Sequence, residues 1–175
     1  MSYVVELLFD DYGQAIINEI RNVLVANGIP DKAVPTNHIS IGDFTVSDYE
    51  ALKRSVITFA KKIKPFEVSL CMVGTFMTEK NVIFLSPVMT DELKEVHDNF
   101  IKSVPDMKEY LIQYYDINKW IAHCTIAIRL SDEELLKGIE IIKKHISLPI
   151  KVKIDKIDIL KCPSPYEQVF VTTIG

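Results

Sequence analysis

Apolar positions along the chain change their period several times, and each change predicts an element. Tyr3 to Phe9 is a β-favouring, mostly apolar run that reads as a buried strand. Asp10-Asp11 then supplies cap oxygens, and Ile16, Ile17, Ile20, Val23 and Leu24 recur at helical spacing until Asn27-Gly28 and Pro30 stop the helix. Thr36 to Phe44 reads as a second strand. Ser47-Asp48-Tyr49-Glu50 sets a hydroxyl three residues before a carboxylate, a capping box that predicts a helix to about Lys62. Phe66 to Phe76 and Val82 to Leu85 are predicted strands around a polar turn at Thr78 to Asn81, and a third helix is predicted from about Asp91 to Ser103.

The second half repeats this order. Ala122 to Leu130 predicts a strand, Ser131-Asp132-Glu133-Glu134 a capping box, and the helix it opens ends near His145; Ile150 to Leu160 and Gln168 to Ile174 predict two more strands. The letters repeat as well. SDYEALK at 47–53 matches SDEELLK at 131–137, and each is followed by a lysine pair (Lys61-Lys62, Lys143-Lys144) and a proline (Pro65, Pro149). The predicted organisation is therefore one domain over residues 1–175 with an internal repeat, its motif halves around 36–86 and 121–174. The fold class is α+β: two pseudo-symmetric lobes, each an antiparallel sheet with outer helices, enclosing a central groove.

Composition narrows what such a fold can do. At 175 residues, 48% hydrophobic and 25% charged, the chain has the length and apolar content of one folded domain. Its net charge of −4 speaks against a dedicated binder of long nucleic acid, which needs a basic footprint. Any phosphate chemistry is expected to be local. Cys71, Cys124 and Cys162 have neither disulfide-framework nor zinc spacing, and read as small buried hydrophobes in a reducing compartment. The N-terminus lacks an export signal, and no apolar run approaches the ~20 residues that cross a bilayer. A cytoplasmic monomer without membrane contact is expected.

The chemistry sits at the repeat. His38-Ile39-Ser40-Ile41 and His123-Cys124-Thr125-Ile126 each place a hydroxyl two residues after a histidine. On a strand, residues i and i+2 share a face, so imidazole and hydroxyl project together while Ile39, Ile41, Cys124 and Ile126 turn to the core. Two sequence-distant histidines are thereby expected on opposite sides of one groove. Phosphoryl transfer between oxygens needs a base for the attacking group and an acid for the departing one. Imidazole titrates near pH 6.5, so one neutral and one protonated ring can divide that work, and the hydroxyls can donate to non-bridging phosphate oxygens. No metal or cofactor is required.

The duplicated His-x-[Ser/Thr] motif resembles that of the two-histidine phosphoesterase superfamily, in particular bacterial 2′-5′ RNA ligase-like proteins and RNA 2′,3′-cyclic phosphodiesterases. Val73-Gly74-Thr75-Phe76 followed by Val82-Ile83-Phe84-Leu85 resembles the family's strand, aromatic turn and strand. The resemblance implies that His38 and His123 are the catalytic acid/base pair and that Ser40 and Thr125 bind phosphate. It also implies a small nucleotide or RNA-terminal phosphate substrate, a 2′,3′-cyclic phosphate or a 2′-5′ linkage. Ser40 stands where threonine is commoner, and Ala122 where proline is frequent. A non-catalytic nucleotide or RNA-end phosphate binder is the alternative, and the motif does not choose between hydrolysis and ligation.

Other residues carry weaker expectations. Phe76, Tyr115 and Trp120 border the expected groove and are candidates for stacking on a base or for core packing. Lys119 could attract phosphate or be solvated. His97 and His145, on predicted helices without an i+2 hydroxyl, are left to the fold. Arg129 shares strand parity with His123 but would lie ~20 Å away, at the edge of the lobe. A metal site would need a third ligand that no nearby motif supplies.

Overall fold

The computed structural model describes residues 2–31, 36–46, 48–163 and 165–175. Among them the strands are β1 (Ser2–Phe9), β2 (His38–Phe44), β3 (Phe66–Phe76), β4 (Asn81–Pro87), β5 (Cys124–Leu130), β6 (Ile150–Cys162) and β7 (Glu167–Thr173). The helices are α1 (Asp11–Ala26), α2 (Tyr49–Ala60), α3 (Asp91–Ser103) and α4 (Asp132–His145), with two 3₁₀ turns at Pro105–Tyr110 and Gln113–Tyr115.

Local chemistry explains the helix starts. Asp10 caps α1 by accepting from the Gly13 amide at 2.9 Å. At α4 the expected capping box is complete: Ser131 Oγ accepts from the Glu134 amide at 3.2 Å and Glu134 Oε2 from the Ser131 amide at 2.8 Å. Ser47, the expected cap of α2, lies outside the described residues. Asp48 does that work, its Oδ1 accepting from the Ala51 amide at 2.9 Å. The cysteines depart from expectation: Cys124 is buried, but Cys71 and Cys162 are only half-buried, on strand stretches that are not fully covered.

Every strand pairing is antiparallel, in the order β2-β1-β6-β3-β4-β5, with β7 also on β6. The 13-residue β6 belongs to both lobes. Its first part, Ile150 to Ile154, pairs with β3, and Lys156 to Lys161 pairs with β7. Its stretch from Ile154 to Cys162 pairs with β1. The pattern is reciprocal: β1 pairs with β2 and β6, while β4 pairs with β5 and β3.

Alternation decides which face meets the helices. Val5, Leu7 and Phe9 of β1 and Ile39 and Ile41 of β2 are essentially inaccessible and join one core with Ile17, Ile20 and Leu24 of α1. Burying side chains of this size is worth ~1.5–3 kcal/mol each, which fixes strand register because a one-residue slip would expose the whole set. The intervening residues of β1 and β2 face the other way. Replacing Asp48 with Ala removes the α2 cap and is expected to cost ~1 kcal/mol, lowering the melting temperature by about 2–4 °C, with Asp48→Asn close to wild type. Calorimetry showing no loss in Asp48→Ala would contradict the assigned cap.

Candidate active site

The two motifs begin two strands that lie at opposite ends of the sheet order yet approach each other in space. His38 is the first residue of β2, whereas His123 stands one residue before β5 rather than within it. At both, the carbonyl two residues back is turned onto the imidazole. His38 Nδ1 lies 3.0 Å from Thr36 O, and His123 Nδ1 lies 2.7 Å from Ile121 O. A carbonyl only accepts, so each Nδ1 carries the hydrogen and each neutral ring keeps its lone pair on Nε2. Nothing in the sequence pattern announces this anchor.

The rest of each motif follows the strand period. Ile39, Ile41, Cys124 and Ile126 are buried in the core, while Ser40 and Thr125 take the face of their histidine. Burial pushes the His38 imidazole down to about 4, with the charges of His123 and Arg21 acting in the same direction and the Thr36 carbonyl opposing. Burial also lowers His123, opposed by the Ile121 carbonyl. Both rings are therefore neutral bases near pH 7.

Their surroundings differ. His123 sits against Phe76, edge to face at 5.0 Å, and Phe84 at 5.2 Å, and these two phenyl rings contact each other at 4.5 Å. Beside it opens a cavity of about 550 Å³ lined by Phe76, Tyr114, Tyr115, Lys119, Trp120 and His123, among others. All three aromatic residues named from the sequence thus meet at one cavity. Trp120 Nε1 donates to Ser40 O at 2.9 Å, tying the cavity wall to β2. Its ring stacks on His97 at 4.1 Å, and His97 Nε2 donates to Tyr115 O at 3.0 Å. His97 is 1% exposed, so it supports the wall from behind. Burial and the nearby Asp43 charge push the Tyr115 hydroxyl up to about 12, with Ser40 opposing, so it remains a donor at neutral pH.

His38 rests instead on acidic groups that the sequence reading passed over. Glu6 and Asp158 are 1% and 0% exposed, and stand opposite each other on β1 and β6. Glu6 Oε2 is 3.2 Å from His38 Nδ1. Gln168 Nε2 donates to Asp158 Oδ2 at 2.6 Å. Burial and the neighbouring Asp158 hold Glu6 well above the usual carboxylate range, and burial raises Asp158 to about 6. The signal was present as lone carboxylates inside the apolar runs Val4-Val5-Glu6-Leu7-Leu8 and Ile157-Asp158-Ile159.

Of the remaining charged candidates, only Lys119 borders this arrangement. Arg129 is exposed and donates to the Tyr166 hydroxyl at 3.2 Å. Lys119 is exposed at the cavity rim, 3.8 Å from Asp116. Lys143, Lys144 and His145 occupy the last turn of α4, where the helix dipole favours them. Among the described residues, no group of three or more His, Cys, Asp or Glu is placed to hold a metal ion, and no helix is long and apolar enough to cross a membrane.

Antiparallel lobes that share a strand and bring two His-x-[Ser/Thr] segments near each other define the class of fold. Residues 9–162 match the 2′-5′ RNA ligase superfamily, and the chain belongs to that family. It is 28% identical over 122 residues to a Bacillus licheniformis protein named as a phosphoesterase, covering 67% of this chain and 68% of that one. The fold is shared with TT0787 of Thermus thermophilus (TM-score 0.63, 13% identity, 99% and 98% of the two chains). It is also shared with E. coli LigT complexed with 3′-AMP (TM-score 0.61, 12% identity, 98% and 97%), a protein solved with phosphate as well.

The buried neutral histidine has a consequence for stability. His38 binds a proton near pH 6.5 when unfolded but only near 4 when folded, so its contribution is complete above pH 6.5 and is lost as pH falls through that window. At pH 5 the loss is up to about 2 kcal/mol. Glu6 and Asp158 shift the opposite way, so the comparison is with His38→Gln, which does not titrate. The melting temperature of the wild type should fall more than that of His38→Gln between pH 7 and pH 5. Parallel falls would contradict the neutral buried imidazole.

Proposed function

We propose that the protein is a metal-independent phosphodiesterase that opens 2′,3′-cyclic phosphates or cleaves 2′-5′ linkages at the ends of nucleotides or RNA. The observation that carries this reading is the matched anchoring of two imidazoles, each with Nδ1 on a carbonyl two residues back and Nε2 left free. That geometry serves proton transfer at two points of one phosphate.

In the hydrolytic direction His38, held near 4, is the base. Its Nε2 takes a proton from water as the new P–O bond forms. His123 Nε2–H gives its proton to the departing ribose oxygen as the old P–O bond breaks, leaving a phosphomonoester. The two rings exchange protons with solvent before the next turnover. His123 gains its proton when the substrate binds, because an anion beside a neutral imidazole favours the charged form. The Ser40 and Thr125 hydroxyls hold non-bridging oxygens and stabilise the charge that develops there.

The cavity beside His123 supports a nucleotide as the carrier of that phosphate. Aromatic faces at Phe76, Tyr115 and Trp120 suit a base, for which stacking is worth ~1–3 kcal/mol. The LigT complexes with 3′-AMP and phosphate support a terminal phosphate of this size in a related fold. The net charge of −4 favours a substrate gripped at one phosphate over a long strand. Three free cysteines support a reducing, cytoplasmic setting.

The test is hydrolysis of nucleoside 2′,3′-cyclic phosphates in EDTA. Wild type should turn over with a bell-shaped pH profile, and His38→Ala and His123→Ala should each lose ~10²–10⁴-fold in kcat. Ser40→Ala and Thr125→Ala should lose about tenfold or more. Activity abolished by EDTA, or retained in both histidine variants, would overturn the mechanism. Tight binding of a 2′- or 3′-nucleotide with no turnover of any cyclic substrate would instead identify a phosphate sensor.

A further inference from the structure

The two halves of the site are built on the same strand pairings but filled differently. Ser40 on β2 stands opposite Glu6 on β1, and Glu6 stands opposite Asp158 on β6. In the other half, Thr125 on β5 stands opposite Phe84 on β4, and Phe84 stands opposite Gly74 on β3. The second arrangement is pure packing: a Cβ on Gly74 would lie 2.4 Å from carbons of the Phe84 ring, so the glycine makes room for the phenyl. The fold is thus satisfied at these positions by an aromatic and a glycine. Beneath His38 it carries two carboxyls instead, at a desolvation cost that packing does not require.

The carboxyls are also short of hydrogens. Glu6 Oε2, Asp158 Oδ1 and Thr36 Oγ1 are buried without a well-formed hydrogen bond; the Thr36 hydroxyl beside Glu6 only partly offsets the rise caused by burial and by Asp158, and Gln168 serves Asp158 Oδ2. Glu6 Oε2 comes within 3.2 Å of His38 Nδ1, but that nitrogen's hydrogen is directed at Thr36 O. Two facing carboxylates cannot satisfy each other. A carboxyl and a carboxylate can, through one shared proton.

We propose that Glu6 and Asp158 are positioning residues for His38: they share one proton, and the single negative charge left on the pair is the counter-ion of the His38 imidazolium. The inference rests on the two-histidine reading, in which His38 becomes charged each time its Nε2 takes the proton of water. A ring so poorly solvated needs an opposite charge at that moment, and the pair supplies it from the Nδ1 side while the substrate occupies the Nε2 side. Coupled carboxyls of this kind titrate as a unit, and their raised pKa values agree with one proton being retained at neutral pH. The other titratable groups that feel Glu6 are Tyr115 on the second 3₁₀ turn, Cys124 on β5 and Cys162 on β6. None is charged at neutral pH. The nearby cation, Arg21 of α1, is engaged with Asn37 and Asp31 and acts on His38 from the helix side.

The test reads the two histidines separately. The near-isosteric double variant Glu6→Gln/Asp158→Asn removes the charge while keeping shape. With inorganic phosphate bound, NMR titration of the imidazole carbons should show the proton affinity of His38 falling at least about tenfold while that of His123 stays close to wild type. On a nucleoside 2′,3′-cyclic phosphate, kcat should fall with KM little changed. An unchanged His38 titration would overturn the proposal. Should the variant not fold, carboxyl-carbon NMR of the wild type decides: one of the two side chains protonated at pH 7 supports the pair, and both ionised or both protonated refutes it. If wild type hydrolyses no cyclic phosphate, the two-histidine reading fails, and the His38 titration still decides the role of the carboxyls.

Discussion

The site depends on the sharing of one strand. Because β6 gives its first part to β3 and its second part to β7, while β1 runs along its other edge, the two lobes cannot move apart without breaking a continuous ladder. Backbone hydrogen bonds across this strand hold β2 and β5, the outermost strands, at a spacing where the charge on one histidine is felt by the other. Neither motif is placed by its own lobe alone. That is why two short His-x-[Ser/Thr] segments more than eighty residues apart can behave as one constellation.

Within that frame the two histidines are matched in orientation and unmatched in environment. Each ring is fixed by a carbonyl at the same offset, which leaves the lone pair on Nε2 on both sides. His123 is gripped by Phe76 and Phe84, which exclude water without adding charge. His38 lies over a buried carboxyl pair. In the proposed mechanism an acid and a base share the same side chain, and environment provides the asymmetry that divides their roles. Trp120 joins the halves, with its indole N–H on the Ser40 carbonyl and its ring stacked on buried His97.

Much of this was legible in the order of residues. The strand period of His38-Ile39-Ser40-Ile41 and His123-Cys124-Thr125-Ile126 states which side chains go inward, and the structure buries Ile39, Ile41, Cys124 and Ile126 accordingly. Ser131 to Glu134 contains its own helix start, because a capping box is local chemistry. What could not be read depends on neighbours distant in sequence. The sharing of β6 is a pairing choice between strands, and no single segment encodes it. The support of Trp120 by His97 joins a helix to a loop twenty residues on. Glu6 and Asp158 were visible as polar interruptions of apolar runs, but their meaning arises only when β1 and β6 place them face to face beneath an imidazole that belongs to a third strand.

In the proposed mechanism His38 and His123 grip one phosphate between them. A crystal structure of the protein with phosphate or a 3′-nucleotide bound tests it most directly. A single phosphate is expected within hydrogen-bonding distance of Nε2 of both histidines and of the Ser40 and Thr125 hydroxyls, with the nucleoside directed toward Phe76, Tyr115 and Trp120. A phosphate held by only one histidine, or bound away from the groove, would contradict it.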